Sequence, residues 1–400
     1  MKGTHFSHGG DVEGFIEQYH KEPLDFSASI SPLGLPEGVK QAVTDCLQKE
    51  PHYPDPFCRR LRAAIAEAEN ARQEAEDGAE YTEQIAEKCA KRAGQSEEKS
   101  FGYTDAHRGE YTKQTYSLAP ERIICANGAS DLIWRIARAF AREYTYDTLL
   151  PGMTERGLVE EEELHPTDKG KRGRAALLLS PTFIEYERAL TTCGIPIRRH
   201  RLNDEEDFRL TETVLDAIDE SVGIFFLPQP LYPTGKAIED ELLGAIRERC
   251  RETGTRLVID ASFADFLGEK AITFINRLAV GREKNLPIFV IRSFTKIYAM
   301  AGIRLGYGYT VDEAFLARLY EMSDPWAVSQ IAQEAGIAAL RETEYKNRLL
   351  ALISDERVRL TQALKQMGFR VIEGDANHMM FCGNETLSGS LAESGLLVRR

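Results

Sequence analysis

The 400-residue chain predicts an α/β fold with a mostly parallel sheet, and three observations carry that expectation. Short β-rich runs alternate with helix-forming stretches over roughly two hundred residues in the middle of the chain, as in repeated strand–helix units. Apolar residues make up 42% and charged residues 28%, the balance of a soluble globular protein with enough chain for a sizeable core. The residues with distinctive chemistry, above all Asp260, Ser293 and Lys296, fall where such runs end. In an open parallel sheet, ligands sit beyond the carboxyl ends of the strands.

Taken in order, seven strands are expected: Arg122–Cys125, Ala176–Leu179, Ile197–His200, Gly223–Leu227, Arg256–Asp260, Ile288–Ile291 and Leu305–Tyr309. Helices are expected at Ser130–Arg142, Ile184–Cys193, Glu239–Glu252 and Ala314–Glu321. Residues 1–36 show little periodicity and read as an arm packed across the rest, and residues 37–322 as the large domain. From 323 to 400, helical patterns (Ser329–Arg341, Asn347–Gln366) lead into the short runs Phe369–Ile372 and His378–Phe381, a smaller α+β domain. Two stretches read as insertions, about 67–116 and 143–174. The part Ala63–Arg92 is helix-forming but weakly apolar, which suits a solvated helix. In the second insertion the acidic run Glu160–Glu163 precedes the basic run Lys169–Arg174, the pattern of a solvated loop.

Net charge is −13, which argues against sequence-independent nucleic-acid binding but leaves room for a local basic pocket and a phosphorylated substrate. The seven cysteines (46, 58, 89, 125, 193, 250 and 382) form no CxxC pair and predict free thiols in a reducing compartment, with no metal site. The N-terminus has no apolar signal region and no run reaches membrane-spanning length, so a cytoplasmic protein without a membrane partner is expected.

Five strand ends carry candidate chemistry. Lys296 follows an apolar run, where loss of solvent lowers a lysine's pKa toward a nucleophilic amine. Ser293 and Arg304 flank it with the donors a phosphate needs, and a Schiff-base lysine beside a phosphate clamp is what pyridoxal phosphate requires. Asn127-Gly-Ala-Ser-Asp131 opens a helix, either as an anion site for backbone N–H groups or as a simple serine N-cap. Asp260 closes Leu257-Val-Ile-Asp260, and a carboxylate buried there is costly unless paired. A protonated pyridine nitrogen, a helix cap or an internal salt bridge would each serve. Phe183, in Pro181-Thr-Phe183, suits either a cofactor ring face or core packing, and Leu227–Gly235 is a proline-stiffened turn able to hold Tyr232 toward a ligand.

In this order the motifs resemble the fold-type I pyridoxal phosphate enzymes, specifically the branch holding histidinol-phosphate aminotransferases and L-threonine-O-3-phosphate decarboxylases. Arg292-Ser-Phe-Thr-Lys-Ile-Tyr-Ala-Met-Ala-Gly-Ile-Arg-Leu-Gly-Tyr307 is close to a signature of that branch, and the likeness runs from His8 to Arg399. The resemblance implies pyridoxal 5'-phosphate as cofactor, with Lys296 as the Schiff-base lysine and proton carrier. Asp260 would face the pyridinium nitrogen and Phe183 would stack on the ring. Gly128, Ala129, Ser130, Ser293 and Arg304 would bind the cofactor phosphate, and Tyr232, at the position of the family's asparagine, would be a cofactor-binding residue through its hydroxyl. Tyr53, in His52-Tyr-Pro-Asp-Pro56, matches a tyrosine that reaches the neighbouring subunit's phosphate, which implies a homodimer with shared active sites. His8, Gly9, Ser31, Asn377 and Arg399 fall at substrate-side positions, and Arg399 matches an arginine that contacts a substrate phosphate.

Three features lean toward decarboxylation of a phosphorylated amino acid: His8-Gly-Gly-Asp11, Leu24-Asp-Phe-Ser-Ala-Ser-Ile-Ser-Pro-Leu-Gly34 and Asp260-Ala-Ser-Phe-Ala-Asp-Phe266. The alternatives are a histidinol-phosphate-type aminotransferase and a cofactor-binding homologue without turnover. Three departures stand out. The family's Asn-Pro-Thr-Gly reads Tyr232-Pro-Thr-Gly235, Phe263 stands where the transaminases usually carry tyrosine, and the chain stops before the family's carboxylate-gripping arginine.

Overall fold

The computed structural model describes residues 9–48, 52–93, 117–154, 173–280 and 287–399. The elements run α1 (Val12–Tyr19), β1 (Leu24–Asp25), α2 (Glu37–Leu47), α3 (Arg59–Ala93), β2 (Ile123–Ala126), α4 (Ala129–Thr154), β3 (Ala175–Ser180), α5 (Ile184–Thr192) and β4 (Ile197–Arg201). They continue with β5 (Val222–Pro228), α6 (Asp240–Thr253), β6 (Arg256–Asp260), α7 (Glu269–Val280), β7 (Ile288–Ser293), β8 (Gly306–Tyr309) and α8 (Glu313–Glu321). The last part holds α9 (Gln330–Ala339), α10 (Thr343–Gln366), β9 (Arg370–Ile372), β10 (Met380–Cys382), α11 (Leu387–Glu393) and β11 (Leu396–Leu397).

All seven expected strands form one sheet, in the order β2-β8-β7-β6-β5-β3-β4. The pairs from β7 through β4 are parallel, and β8 runs antiparallel to both its neighbours. Strands β5, β6 and β7 are buried along their whole length. Side chains alternate between the two faces with period two. Ile224, Phe226, Val258, Phe289 and Ile291 pack with Ile133, Ile136 and Phe140 of α4 and Phe315 of α8. Phe225, Leu227, Leu257, Ile259 and Val290 pack with Leu61 and Ile65 of α3 and Ile272 and Ile275 of α7. This two-sided burial is why the strands read as continuous apolar runs.

Three expectations change. The arm contains a helix, α1, capped by Asp11, whose side chain accepts from the Gly14 amide at 3.1 Å. Helix α3 spans the expected 63–92 but is not simply solvated, because Ile65, Ala66, Glu69 and Gln73 are buried. Its low apolar content misleads because the buried face is partly charged, and Glu69 is partnered by Arg72 of the same helix and by groups on distant elements. Asn276 Nδ2 donates to it at 2.8 Å and the Tyr307 hydroxyl at 2.5 Å. The second insertion begins as a continuation of α4 to Thr154, and Glu160–Glu163 and Lys169–Lys171 lie outside the described residues. Arg174, the end of that basic run, is buried and donates to the carbonyls of Thr253 and Gly254 at 2.7 and 3.0 Å.

The ends of the chain meet over the sheet. Strand β1 pairs in parallel with β11, placing Leu24 opposite Leu396 and Asp25 opposite Leu397, while β9 and β10 form an antiparallel pair. Among the described residues no helix is long and apolar enough to cross a membrane.

Candidate active site

Asp260 ends β6, with Ile291 of β7 beside it. Its carboxylate accepts from the Tyr186 hydroxyl at 2.6 Å and from the Ser262 amide at 3.0 Å. Burial pushes its pKa above the ordinary carboxylate value, against the lowering effect of those hydrogen bonds. Among the described residues no cation pairs with it. Tyr186 is fully buried on α5, stacked on Phe226 with centroids 5.2 Å apart.

Lys296 lies in the turn after β7, and its Nζ donates to the Ala28 carbonyl of the arm at 3.0 Å. Its pKa is lowered to about 8, chiefly by burial and then by the positive charges of Arg304 and Arg399, with Asp25 opposing. The amine is therefore within reach of its neutral, nucleophilic form near physiological pH. The Phe263 ring centroid is 5.7 Å from it.

Gly128 forms the turn between β2 and α4 with φ +81°, and Arg304 is itself left-handed at φ +64°. A Cβ on Gly128 would lie 2.5 Å from Arg304 Nη2, and one on Gly306 would lie 2.7 Å from the Ala129 amide nitrogen. The two glycines thus let strand β8 and the Arg304 guanidinium press against the first turn of α4, where Ala129 and Ser130 present unpaired helix N–H groups. Arg304 Nη1 donates to the Ala301 carbonyl at 3.1 Å, and among the described residues Arg304 forms no ion pair. Ser293 is buried nearby. Its hydroxyl is 2.7 Å from that of Thr295, a residue no sequence signal had singled out.

An aromatic wall faces Lys296. Phe183 meets Tyr186 and Tyr232 edge-on at 5.5 and 5.8 Å, and Tyr232 stacks with Phe263 at 6.5 Å. His378 packs against Phe263 at 4.8 Å and Tyr232 at 5.5 Å. Burial above all lowers the His378 pKa to about 4, and Lys296 and Arg399 push in the same direction, so its ring is neutral. The Arg399 guanidinium lies 5.8 Å from the Phe183 centroid and 5.1 Å from that of Tyr232, with which it also hydrogen-bonds.

The remaining sequence candidates divide. Asn377 donates to the Ser29 carbonyl at 2.8 Å, which ties the arm to the segment before β10. The Ser31 amide donates to the Lys296 carbonyl at 3.0 Å, while its hydroxyl is 2.6 Å from that of Tyr345, so its side chain serves the arm's packing. Gly9 lies against the Ser27 main chain. Tyr53 is not brought to the other candidate site residues of its own chain. It is 79% exposed and stacks on Trp326 at 4.7 Å. His8 lies outside the described residues. Two further members of the site, Tyr186 and His378, carry no motif. The only sequence signal for Tyr186 is its spacing of three from Phe183, which puts both on one face of α5.

Pyridoxal phosphate fits this set. Asp260 is a buried carboxylate without a cation, which a pyridinium nitrogen supplies. Arg304 is a cation without a carboxylate, set against a helix N-terminus beside a glycine turn, which suits a phosphate. Lys296 adds an amine suited to an aldehyde carbon.

A family model for aminotransferase class I and II matches residues 167–400. The chain is 28% identical over 386 residues to the threonine-phosphate decarboxylase of Salmonella typhimurium, covering 95% of this chain and 83% of that protein. It is 25% identical over 288 residues to histidinol-phosphate aminotransferase 1 of Mesorhizobium japonicum, covering 71% of this chain and 69% of the relative. Among solved structures, the histidinol-phosphate aminotransferase of Sinorhizobium meliloti in complex with pyridoxal-5'-phosphate aligns with TM-score 0.69 at 17% identity, over 97% of this chain and 85% of that one. The one from Clostridium acetobutylicum aligns with TM-score 0.66 at 21% identity, over 93% and 87%. These likenesses of shape establish the common fold.

Proposed function

The chain belongs to the aminotransferase class I and II family, and from that premise we propose that it is a pyridoxal phosphate enzyme acting on the amino group of a phosphorylated amine or amino acid, by transamination of the histidinol-phosphate type. The observation that supports the reading is the set of three groups at the site: a buried carboxylate at Asp260 with no cation partner among the described residues, an amine lowered to about 8 at Lys296, and the Arg304 guanidinium, which forms no ion pair among the described residues and whose charge lowers Lys296.

The residues that would hold the cofactor are Asp260 at the ring nitrogen, Phe183 on the ring face, Lys296 at the aldehyde carbon, and Gly128, Ala129, Ser130, Ser293 and Arg304 at the phosphate. When bound, the cofactor supplies an aldehyde that captures an amine and a pyridinium ring that accepts the electron pair left at the substrate's Cα. The protein does the rest. Asp260 would offer its carboxylate to the ring nitrogen, and Tyr186 and Ser262 hold that carboxylate oriented. Lys296 Nζ, its pKa lowered to about 8 and so within reach of its neutral form, would carry the Cα proton from one side of the transfer to the other. Phe263, Tyr232 and Phe183 would line the chamber, and Arg399, beside the rings of Phe183 and Tyr232, would stand on the substrate side. The exposed Tyr53 would serve the phosphate of a neighbouring subunit in a homodimer. Sedimentation equilibrium of the purified protein checks that assembly.

A second reading is decarboxylation of a phosphorylated amino acid such as L-threonine-O-3-phosphate. It is supported by the Salmonella relative, whose likeness extends over nearly the whole chain, and by Phe263 at the usual tyrosine position. Which bond to Cα breaks depends on how the substrate is oriented, a matter of its anchoring. The experiment supplies histidinol phosphate with a 2-oxo acid acceptor, and separately O-phospho-L-threonine alone. Amino-acid formation from the 2-oxo acid is the expected result. Carbon dioxide release from O-phospho-L-threonine with no need of an acceptor would replace transamination by the second reading.

A further inference from the structure

A buried ion pair stands directly behind the Gly128 turn. Asp131, in the first turn of α4, accepts the Asn127 amide on Oδ2 at 2.9 Å, and its own amide donates to the Gly128 carbonyl at 3.2 Å. The turn is thus tied to Asp131 at both ends. One helical turn further on, Arg135 grips both carboxylate oxygens, Nε to Oδ1 at 2.8 Å and Nη2 to Oδ2 at 2.5 Å. Arg135 is 2% exposed, and its Nη1 donates to the Ser323 hydroxyl at 2.5 Å, which donates in turn to the Leu319 carbonyl at 2.9 Å.

We propose that Asp131 and Arg135 are positioning residues for the cofactor's phosphate. Asp131 holds the turn that receives the phosphate, and Arg135 cancels the charge that Asp131 would otherwise set against it. The proposal rests on the reading above that seats this phosphate at Gly128–Ser130 and Arg304, and it identifies what allows an acid to stand there.

The physical argument turns on two anions at one helix end. An acid in the first turn of a helix suits the positive end of the dipole. At the start of α4 a phosphate monoester, carrying about −1.5 to −2 at pH 7, would take the same place. The two would repel, and more strongly than in water, because the effective dielectric near a protein surface is about 20 rather than 80. A neutral cap would avoid that repulsion. A serine or asparagine, however, has no second oxygen with which to take the Asn127 amide and a guanidinium fork together. The planar fork of Arg135 matches the Asp131 carboxylate bidentately, so it removes the charge without removing the bond to the turn. Burial, with Ser323 as a third acceptor, keeps Arg135 on Asp131. The facing positive charge then comes from Arg304 alone, on the side of the turn where a Gly128 side chain would begin.

The test reconstitutes the full-length chain with pyridoxal phosphate and, separately, with pyridoxal, which lacks the phosphate, and follows the absorbance. The ratio of the two affinities isolates the phosphate's share. Arg135→Met leaves the Asp131 charge bare and should lower that ratio about tenfold, with pyridoxal binding little changed. Asp131→Asn removes the charge and keeps an acceptor, so its ratio should not fall. Combining Asp131→Asn with Arg135→Met should return the ratio to the wild-type value. Phosphorus NMR of the bound cofactor supplies a signature that a merely structural role would not move. The pH midpoint of the phosphate, ordinarily about 6, should rise in Arg135→Met and not in the double variant. The proposal is overturned if Arg135→Met weakens both ligands equally, if the double variant is not rescued, or if Asp131→Asn alone lowers the ratio. That last measurement decides the matter by itself should Arg135→Met fail to fold. Arg304→Gln separates the proposal from the reading beneath it. An unchanged ratio there would unseat the phosphate from this cradle, whereas a lowered ratio without the pattern above refutes the pair and not the cradle.

Discussion

Tyr186 donates its hydroxyl to Oδ2 of Asp260 at 2.6 Å, at the carboxyl end of β6. Tyr186 is the less obvious member of the pair, since it acts through Asp260 rather than on the cofactor. Its replacement by Phe keeps the ring stacked on Phe226 and removes one of the donors that favour the charged carboxylate, leaving those of Ser262. Cofactor affinity should fall roughly tenfold, the worth of one hydrogen bond to a charged group. Absorbance titration of the apoprotein with pyridoxal phosphate measures it, and an unchanged dissociation constant would show that Tyr186 only fills space.

Lys296 and Asp260 both cost the apoprotein stability, and the pH dependence has a definite sign. Lys296 falls from 10.5 to about 8, so between those values the unfolded chain holds a proton that the folded chain has released. Stability therefore rises with pH through that window, and below about 8 the folded state carries the full cost of a buried charge. Apoprotein Lys296→Met should resist urea better than the parent at pH 7, with the gap narrowing toward pH 10. The same variant should show no turnover and no absorbance near ~420 nm, the region expected for a cofactor joined to a lysine. For Asp260 the shift is upward, so the apoprotein loses stability as pH rises from the ordinary 3.8 through the raised value. Asp260→Asn removes that slope in urea titrations while abolishing activity.

Gly128 should tolerate no side chain. Its φ is +81°, and the added Cβ would meet Arg304 Nη2 at 2.5 Å. Because that contact is with a side-chain end, the guanidinium can yield, and the loss then appears at the phosphate cradle rather than as global unfolding. Gly128→Ala is expected to lose about 1 kcal/mol of stability from backbone strain, and more than tenfold in cofactor affinity. Thermal denaturation of the apoprotein and cofactor titration separate the two effects. A variant with normal cofactor affinity would remove Gly128 from the proposed cradle.

What was legible in the sequence is local chemistry at the ends of buried strands. Asp260, Ser293 and Lys296 each close or follow an apolar run, and parallel-sheet geometry is enough to bring such ends together. Arg304 followed from the same stretch of chain. The resemblance supplied what spacing alone left open, such as the choice between a helix cap and a cofactor partner for Asp260. The illegible part depends on long-range contacts. The Tyr232–Arg399 pair joins residues far apart in the chain, and an aromatic in a proline turn carries no mark of the cation it will face. His378 looked like one residue of a short strand, yet it lies before β10 in the chamber wall. Glu69 was hidden because burying a charge contradicts the apolar patterning by which helices are read, and beyond Arg72 of its own helix its compensation comes from β7, α7 and β8.

That compensation carries the last prediction. Beneath the strand that leads to Lys296, Arg292 lies 2.9 Å from Asp265 and 3.7 Å from Glu69, and Arg72 lies 2.8 Å from Glu69. Lys346 of α10 reaches Asp265 at 3.0 Å, so the cluster connects the C-terminal helices to β7. Burial alone would raise both acids, but the cations around them win. Glu69 is held at about 2, mainly by Arg72 and Arg292, and Asp265 is held far below its ordinary value by Arg292, Lys346 and Arg72. Both folded pKa values are depressed, so their contribution is complete above the unfolded values of 4.5 and 3.8 and is lost as pH falls toward 2. Acid unfolding should therefore be steep between pH 4.5 and 2. Removing one partner leaves opposite charges buried and uncompensated, which typically costs 3–5 kcal/mol, and Glu69→Ala should lose about that much. Because Arg292 adjoins Ser293, the same variant should also weaken cofactor binding, whereas loss of an exposed pair such as Arg359–Glu356 should do neither. Urea denaturation at pH 7 and pH 3.5, run on wild type and both variants, reads all of this. If Glu69→Ala unfolds with the wild-type midpoint at both pH values, the buried cluster does not hold β7 in place.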